Sequence, residues 1–105
     1  MRLRKYTEEM QEEEIVMIAT VSDALAHPAR IKIYRFIMQN NKDRTLVCNK
    51  DIVANFDYAQ ATISQHVKKL VDAGLVEVKK TNRFSYYYAH IGTLAKYLSA
   101  TRKFE

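Results

Sequence analysis

The chain has 105 residues, 48% of them hydrophobic, and a formal charge of +5, which is enough for one small core and a single domain over residues 1–105. No segment approaches the ~20 apolar residues of a membrane-spanning helix, the N-terminus lacks the apolar stretch of a secretory signal, and the single cysteine, Cys48, excludes a disulfide framework. A cytoplasmic chain in a reducing compartment, without membrane contact, is therefore expected.

Charge is unevenly spread. Residues 1–29 carry three cations against six carboxylates and residues 30–105 fourteen against six, net −3 and +8. The basic part would be drawn to a polyanion, and the acidic start, Glu8, Glu9, Glu12, Glu13 and Glu14, would be repelled by it. The same acidic residues also suit the positive end of a helix dipole without any further role.

From Tyr6 to Leu25, apolar Met10, Ile15, Met17, Ile18, Val21, Ala24 and Leu25 cover more than a narrow stripe of a helix. One helix on a small core needs one apolar face, so this breadth predicts two partners, its own subunit and a second copy. Pro28 begins a second helix through Ile31, Ile33, Tyr34, Phe36 and Ile37, expected as core, with Arg30 and Lys32 read as solvated surface. Asn40-Asn41-Lys42-Asp43 reads as a polar loop, and Thr45-Leu46-Val47 as a short strand beside a later hairpin.

Asn49 is expected to cap a short helix over Asp51 to Asn55, and Phe56-Asp57-Tyr58 to turn the chain into the next one. In that next helix Ile63, Val67 and Leu70 share one face, while Thr62, Gln65 and Lys69 fall opposite. This outer face holds amides, a hydroxyl and an ammonium, with no carboxylate until Asp72, which suits a groove lined by phosphates and base edges. Gly74 supplies the left-handed stop, and Leu75-Val76-Glu77-Val78 reads as a strand.

Lys79, Lys80 and Arg83 surround Thr81-Asn82, and Phe84-Ser85-Tyr86-Tyr87-Tyr88 returns as an aromatic strand. Alone, such a hairpin is a solvated turn; directly after a helix-turn-helix it reads as a phosphate-contacting wing. His90 ends that strand, and Ile91 to Phe104 offers a helical face of Leu94, Tyr97, Leu98 and Thr101. The organisation is thus a helix-turn-helix over 50–73, a wing over 75–90, and dimerisation helices at 1–25 and 91–105.

The runs Leu25-Ala-His-Pro-Ala-Arg-Ile-Lys-Ile-Tyr34, Thr62-Ile-Ser-Gln-His-Val-Lys-Lys-Leu70 and Ala73-Gly-Leu-Val76, in this order and spacing, resemble the ArsR-type winged-helix transcriptional regulators from about Ser22 to His90. The resemblance implies a mainly α fold with a small β-hairpin: a winged helix-turn-helix with a three-helix core plus N- and C-terminal dimerisation helices. It further implies a homodimeric repressor on double-stranded DNA that senses a metal, a metalloid, a thiol oxidant or another signal. Its DNA contacts carry over to Gln60, Thr62, Ser64, Gln65 and His66, with Lys80 and Arg83 on the wing. The residues' own reading adds Lys69 and Lys79 as phosphate contacts.

Departures from the family pattern matter for the signal. Ala59, Gln60 and Ala61 stand where the family usually has Ser, Gln and Pro, so the recognition helix loses a capping hydroxyl, with Asp57 the candidate replacement. Cys48 matches the first cysteine of the family's metalloid-binding pair, but its partner position is Lys50. The helix that carries zinc ligands in other members offers Lys96, Tyr97, Arg102 and Lys103 here. No regulatory metal and no cofactor are expected, and the residues name no effector. Cys48 reads as a small buried thiol, or else as a redox sensor if Lys50 or a helix end lowers its pKa. His66 reads as a recognition-helix donor or a partly buried ring.

Catalysis is not expected. Glycine occurs only at Gly74 and Gly92, no nucleophile faces a base, and side chains two apart on a helix, as in Ser64-Gln65-His66, point about 200° apart. The alternative to a DNA reader is a winged-helix protein-interaction module, for which cations on both the recognition helix and the hairpin would have no purpose.

Overall fold

The computed structural model describes residues 10–105 in the order α1 (Glu12–Leu25), α2 (Pro28–Lys42), α3 (Asn49–Asn55), α4 (Gln60–Asp72), β1 (Val76–Thr81), β2 (Phe84–Ala89), α5 (Ile91–Thr101) and a closing 3-10 turn, Arg102–Phe104. Helices α2, α3 and α4 surround one core, the hairpin β1–β2 extends from it as a wing, and α1 and α5 flank it: a mainly α winged helix-turn-helix. The part of the first helix expected over Tyr6 to Glu9 lies outside the described residues.

The core is aliphatic apart from Tyr34. Val21 and Ala24 of α1, Ile33, Tyr34 and Ile37 of α2, Ile52 of α3, and Ile63, Val67 and Leu70 of α4 meet Val47, Leu75 and Val76 with almost no exposure. Each large aliphatic buried this way stabilises the fold by about 1.5–3 kcal/mol. The α4 stripe is the one the sequence spacing predicts.

α4 ends in a Schellman motif. Gly74 adopts φ +81, its N–H donates to the Val71 carbonyl at 2.9 Å, and the Leu75 N–H donates back to the Leu70 carbonyl at 3.0 Å. Leu70 and Leu75 are both fully buried and close the apolar contact that accompanies this cap. The helix stop therefore also aims β1 out of the core.

Several expectations are corrected. Ile31 is 51% exposed, because it lies about 200° around α2 from Ile33. The segment Asn40-Asn41-Lys42 is not a loop but the last turn of α2. Thr45-Leu46-Val47 forms no strand: Cys48 makes one isolated bridge to Tyr86, and the Tyr87 N–H donates to the Val47 carbonyl at 2.8 Å. The cause is Asn41, whose amide occupies the edge of β2 in place of a third strand, accepting from the Ala89 N–H at 2.8 Å and donating to the Tyr87 carbonyl at 3.3 Å.

At α3 the cap is Cys48 rather than Asn49, since Asp51 at the third helical position accepts from the Cys48 N–H at 2.9 Å. β1 runs beyond Val78 to Thr81, so Lys79 and Lys80 lie within the strand and the tip is Asn82-Arg83, with Asn82 at φ 58, a left-handed conformation asparagine tolerates. The last helix stops at Thr101 before the 3-10 turn. α1 and α5 are joined by a 2.8 Å hydrogen bond between the Ser22 and Tyr97 hydroxyls, and Lys103 pairs with Glu14 at 2.7 Å.

Candidate nucleic-acid interface

The stripe of α4 facing away from the core carries Gln60, Ala61, Ser64, Gln65 and Lys68, all exposed. Thr62 and His66 sit half-buried on one flank, and Lys69 is exposed beside them. Lys68 belongs to the middle of the outward stripe and was not among the residues expected there, although its spacing of four from Ser64 and three from Gln65 marks it. The helix start is uncapped by a side chain: Ala59 precedes it, and Asp57 does not take over the role.

One flank of the stripe opens into a cleft of about 570 Å³ shared with the wing, lined by Lys50, Gln60, Ser64, Arg83 and Ser85 among others. The fold thus brings Arg83, at the wing tip, to the same opening as Gln60 and Ser64, which are about twenty residues away in sequence. Strand alternation divides the other two wing cations. Lys80 pairs across the hairpin with Ser85, on the face that also carries Val78 and Tyr87. Lys79 is on the opposite face with Tyr86 and Tyr88, its ammonium 5.2 Å from the centre of the Tyr88 ring. The three cations expected as one cluster at the tip are therefore spread along the wing.

The other flank of α4 forms a second cleft, about 400 Å³, lined by Arg30, Gln65, His66, Lys68, Lys69 and Asp72. Here the cations are partnered within the protein. Lys69 pairs with Asp23 at 2.9 Å and Lys68 with Asp72 at 2.9 Å. Hydrogen bonding and the charge of Lys69, with a smaller part from Arg30, hold the Asp23 carboxyl below its ordinary pKa. Arg30 is not free surface: its guanidinium donates to the Ala24 carbonyl at 2.7 Å and reaches Nδ1 of His66 at 3.3 Å. Burial, helped by the neighbouring charges of His27 and Arg30, lowers the pKa of His66.

Two histidines have duties the sequence did not announce. His27 caps α2 by accepting from the Ala29 N–H at 3.1 Å, and His90, expected only to end a strand, caps α5 by accepting from the Thr93 N–H at 3.0 Å. Cys48 is half-buried, and its thiol donates to Asp51 at 3.3 Å. Among the described residues no three of His, Cys, Asp and Glu gather at one point, and no helix is long and apolar enough to cross a membrane.

A helix-turn-helix domain family model matches residues 25–79. Over 74 residues the chain is 30% identical to the arsenical resistance operon repressor of Staphylococcus xylosus, a match covering 70% of this chain and 66% of the repressor. An ArsR-like transcriptional regulator from Rhodococcus sp. RHA1 has a similar structure, with TM-score 0.74 over 86% of this chain and 80% of that one at 22% identity. A possible transcriptional regulator for arsenical resistance gives TM-score 0.65 over 78% of this chain and 80% of that one at 27% identity.

Proposed function

The chain belongs to the helix-turn-helix family of ArsR-like transcriptional regulators, and on that premise we propose that it is a cytoplasmic homodimeric repressor that reads an inverted-repeat operator in double-stranded DNA. In this reading α4 of each subunit enters a major groove. Gln60, Thr62 and Gln65 hydrogen-bond base edges, Ser64 and His66 lie beside them, and an amide bidentate to adenine discriminates by ~1–3 kcal/mol. Lys69, Lys79, Lys80 and Arg83 contact phosphates and supply most of the salt dependence. The chain regulates by occupying DNA and not by catalysis.

The observation that carries the reading is the outward face of α4, polar apart from Ala61 and free of carboxylates from Gln60 to Lys69, opening onto the same cleft as the wing-tip Arg83. A pure interaction module has no need for that juxtaposition of amides, hydroxyl and guanidinium. Selection from a random duplex library at ~150 mM salt, where weak surface attraction is screened, tests it. Enrichment of an inverted repeat is expected, and retention without sequence preference, or no retention, would contradict the reading.

A further inference from the structure

Arg30, in the first turn of α2, ties three helices together. Its Nε donates to the Ala24 carbonyl at 2.7 Å and its Nη2 to the Asp23 carbonyl at 3.3 Å, closing the C-terminus of α1, while Nη1 lies 3.3 Å from Nδ1 of His66 on α4. A guanidinium has donors and no acceptor. His66 Nδ1 therefore accepts, and the imidazole in this contact is the neutral form with its proton on Nε2. The His27 ring lies against it, centroids 4.7 Å apart, and His27 Nδ1 accepts the Ala29 N–H that caps α2. Each ring thus uses its Nδ1 lone pair to hold a helix.

Protonating Nδ1 of His66 removes that lone pair and sets a new cation against Arg30. Among the described residues the surroundings offer no compensation. Facing His66 are Arg30 of α2, His27 before it, and the Tyr58 ring at 6.3 Å from the turn before α4. The carboxylates on this flank, Asp23 of α1 and Asp72 of α4, are already held by Lys69 and Lys68.

We propose that His27, Arg30 and His66 form a proton-sensitive joint that positions the recognition helix, so that acidification releases Arg30 from His66 and lowers the discrimination between operator and other DNA. The inference rests on the DNA-reading role proposed above and adds a pH dependence to it. Burial first, then the charges of His27 and Arg30, depress the pKa of His66 from the ordinary 6.5. A depressed imidazole means that the fold favours the neutral ring. Its contribution is complete above the unfolded-state value of about 6.5 and is lost as the pH falls from there through the folded-state value. The joint is therefore intact at neutral pH and fails on the acid side.

The test compares binding of the library-selected duplex and a scrambled duplex at about pH 7.5 and 5.5, at equal ionic strength, spanning the imidazole range. The wild type is expected to lose about threefold or more of its preference on acidification. In Arg30→Met the contact that acid would break is already absent, so whatever preference the variant has at pH 7.5 should not change on acidification. A flat wild-type ratio, or an equal loss in the variant, overturns the proposal. Absence of any duplex binding at pH 7.5 removes the DNA-reading role and, with it, this effect on discrimination. The joint is checked apart from DNA by NMR of the free protein. Arg30 guanidinium signals that shift together with the His66 titration support it, and signals indifferent to that titration overturn it.

Discussion

Gly74 shows how one residue fixes the direction of the wing. At φ +81 any side chain would be strained, although the space is open enough that a Cβ would meet only the Thr93 side chain at 3.6 Å. Gly74→Ala is therefore expected to destabilise by about 1 kcal/mol through backbone conformation alone, a fall of about 4–8 °C in Tm for a domain near this size. Thermal unfolding measures it, and an unchanged Tm would show that the left-handed cap is not required. This position is legible in sequence because glycine after an amphipathic helix has few other uses. The histidine caps at His27 and His90 are not legible in the same way. Serine, threonine, aspartate and asparagine are the usual caps, and a histidine before a helix acquires its role only from the ring orientation that the tertiary structure imposes. The same holds for Arg30, a surface cation by spacing and a three-helix tie in the fold.

At the scale of elements, periodicity was a good guide wherever one face of a helix meets the core, as along Ile63, Val67 and Leu70. It was a poor guide where a side chain substitutes for backbone. Asn41 stands in for a third wing strand by bonding Tyr87 and Ala89 of β2, and nothing in a polar Asn-Asn-Lys run distinguishes this from a loop. Asn41→Ala should cost about 1–3 kcal/mol by leaving the β2 groups unpaired, with faster amide exchange at Ala89; protection equal to wild type would contradict the anchoring role. Further out, the wing carries the proposed phosphate contacts. Replacing Lys80 and Arg83 by alanine should weaken binding to all duplexes alike and flatten the salt slope by ~1 unit per lost contact. An unchanged slope would remove the wing from the mechanism. Gln65→Ala, on the outward stripe of α4, should instead relax preference at particular bases, and equal weakening on every sequence would contradict direct readout by that residue.

At the scale of the whole molecule, the surface left over after folding argues for a second copy. Ile15 and Val16 on α1 are 41% and 55% exposed, and Ile91 and Leu98, seven residues apart on one side of α5, are 56% and 53% exposed. The inward faces of the same helices are already used: α1 gives Val21 and Ala24 to the core, and Leu94 and Tyr97 of α5 pack against it. The exposed apolar side chains therefore widen the inward faces, Ile91 and Leu98 lying about 40–60° around α5 from Leu94, and burying them gains roughly 25 cal/mol per Å². A two-fold pair would also match the symmetry of an inverted repeat, whose half-sites lie about 34–36 Å apart when one helical turn separates them. Placing a charge in each outer face, Val16→Glu with Leu98→Glu, should leave the core intact and convert a dimer to a monomer in sedimentation. Affinity for the full inverted repeat should then fall by the loss of the second, tethered contact, while affinity for one half-site stays near the wild-type monomer's. A wild-type chain that sediments as a monomer at concentrations where it binds the repeat, or a doubly charged variant that remains dimeric, would locate the symmetry of the complex elsewhere than in α1 and α5.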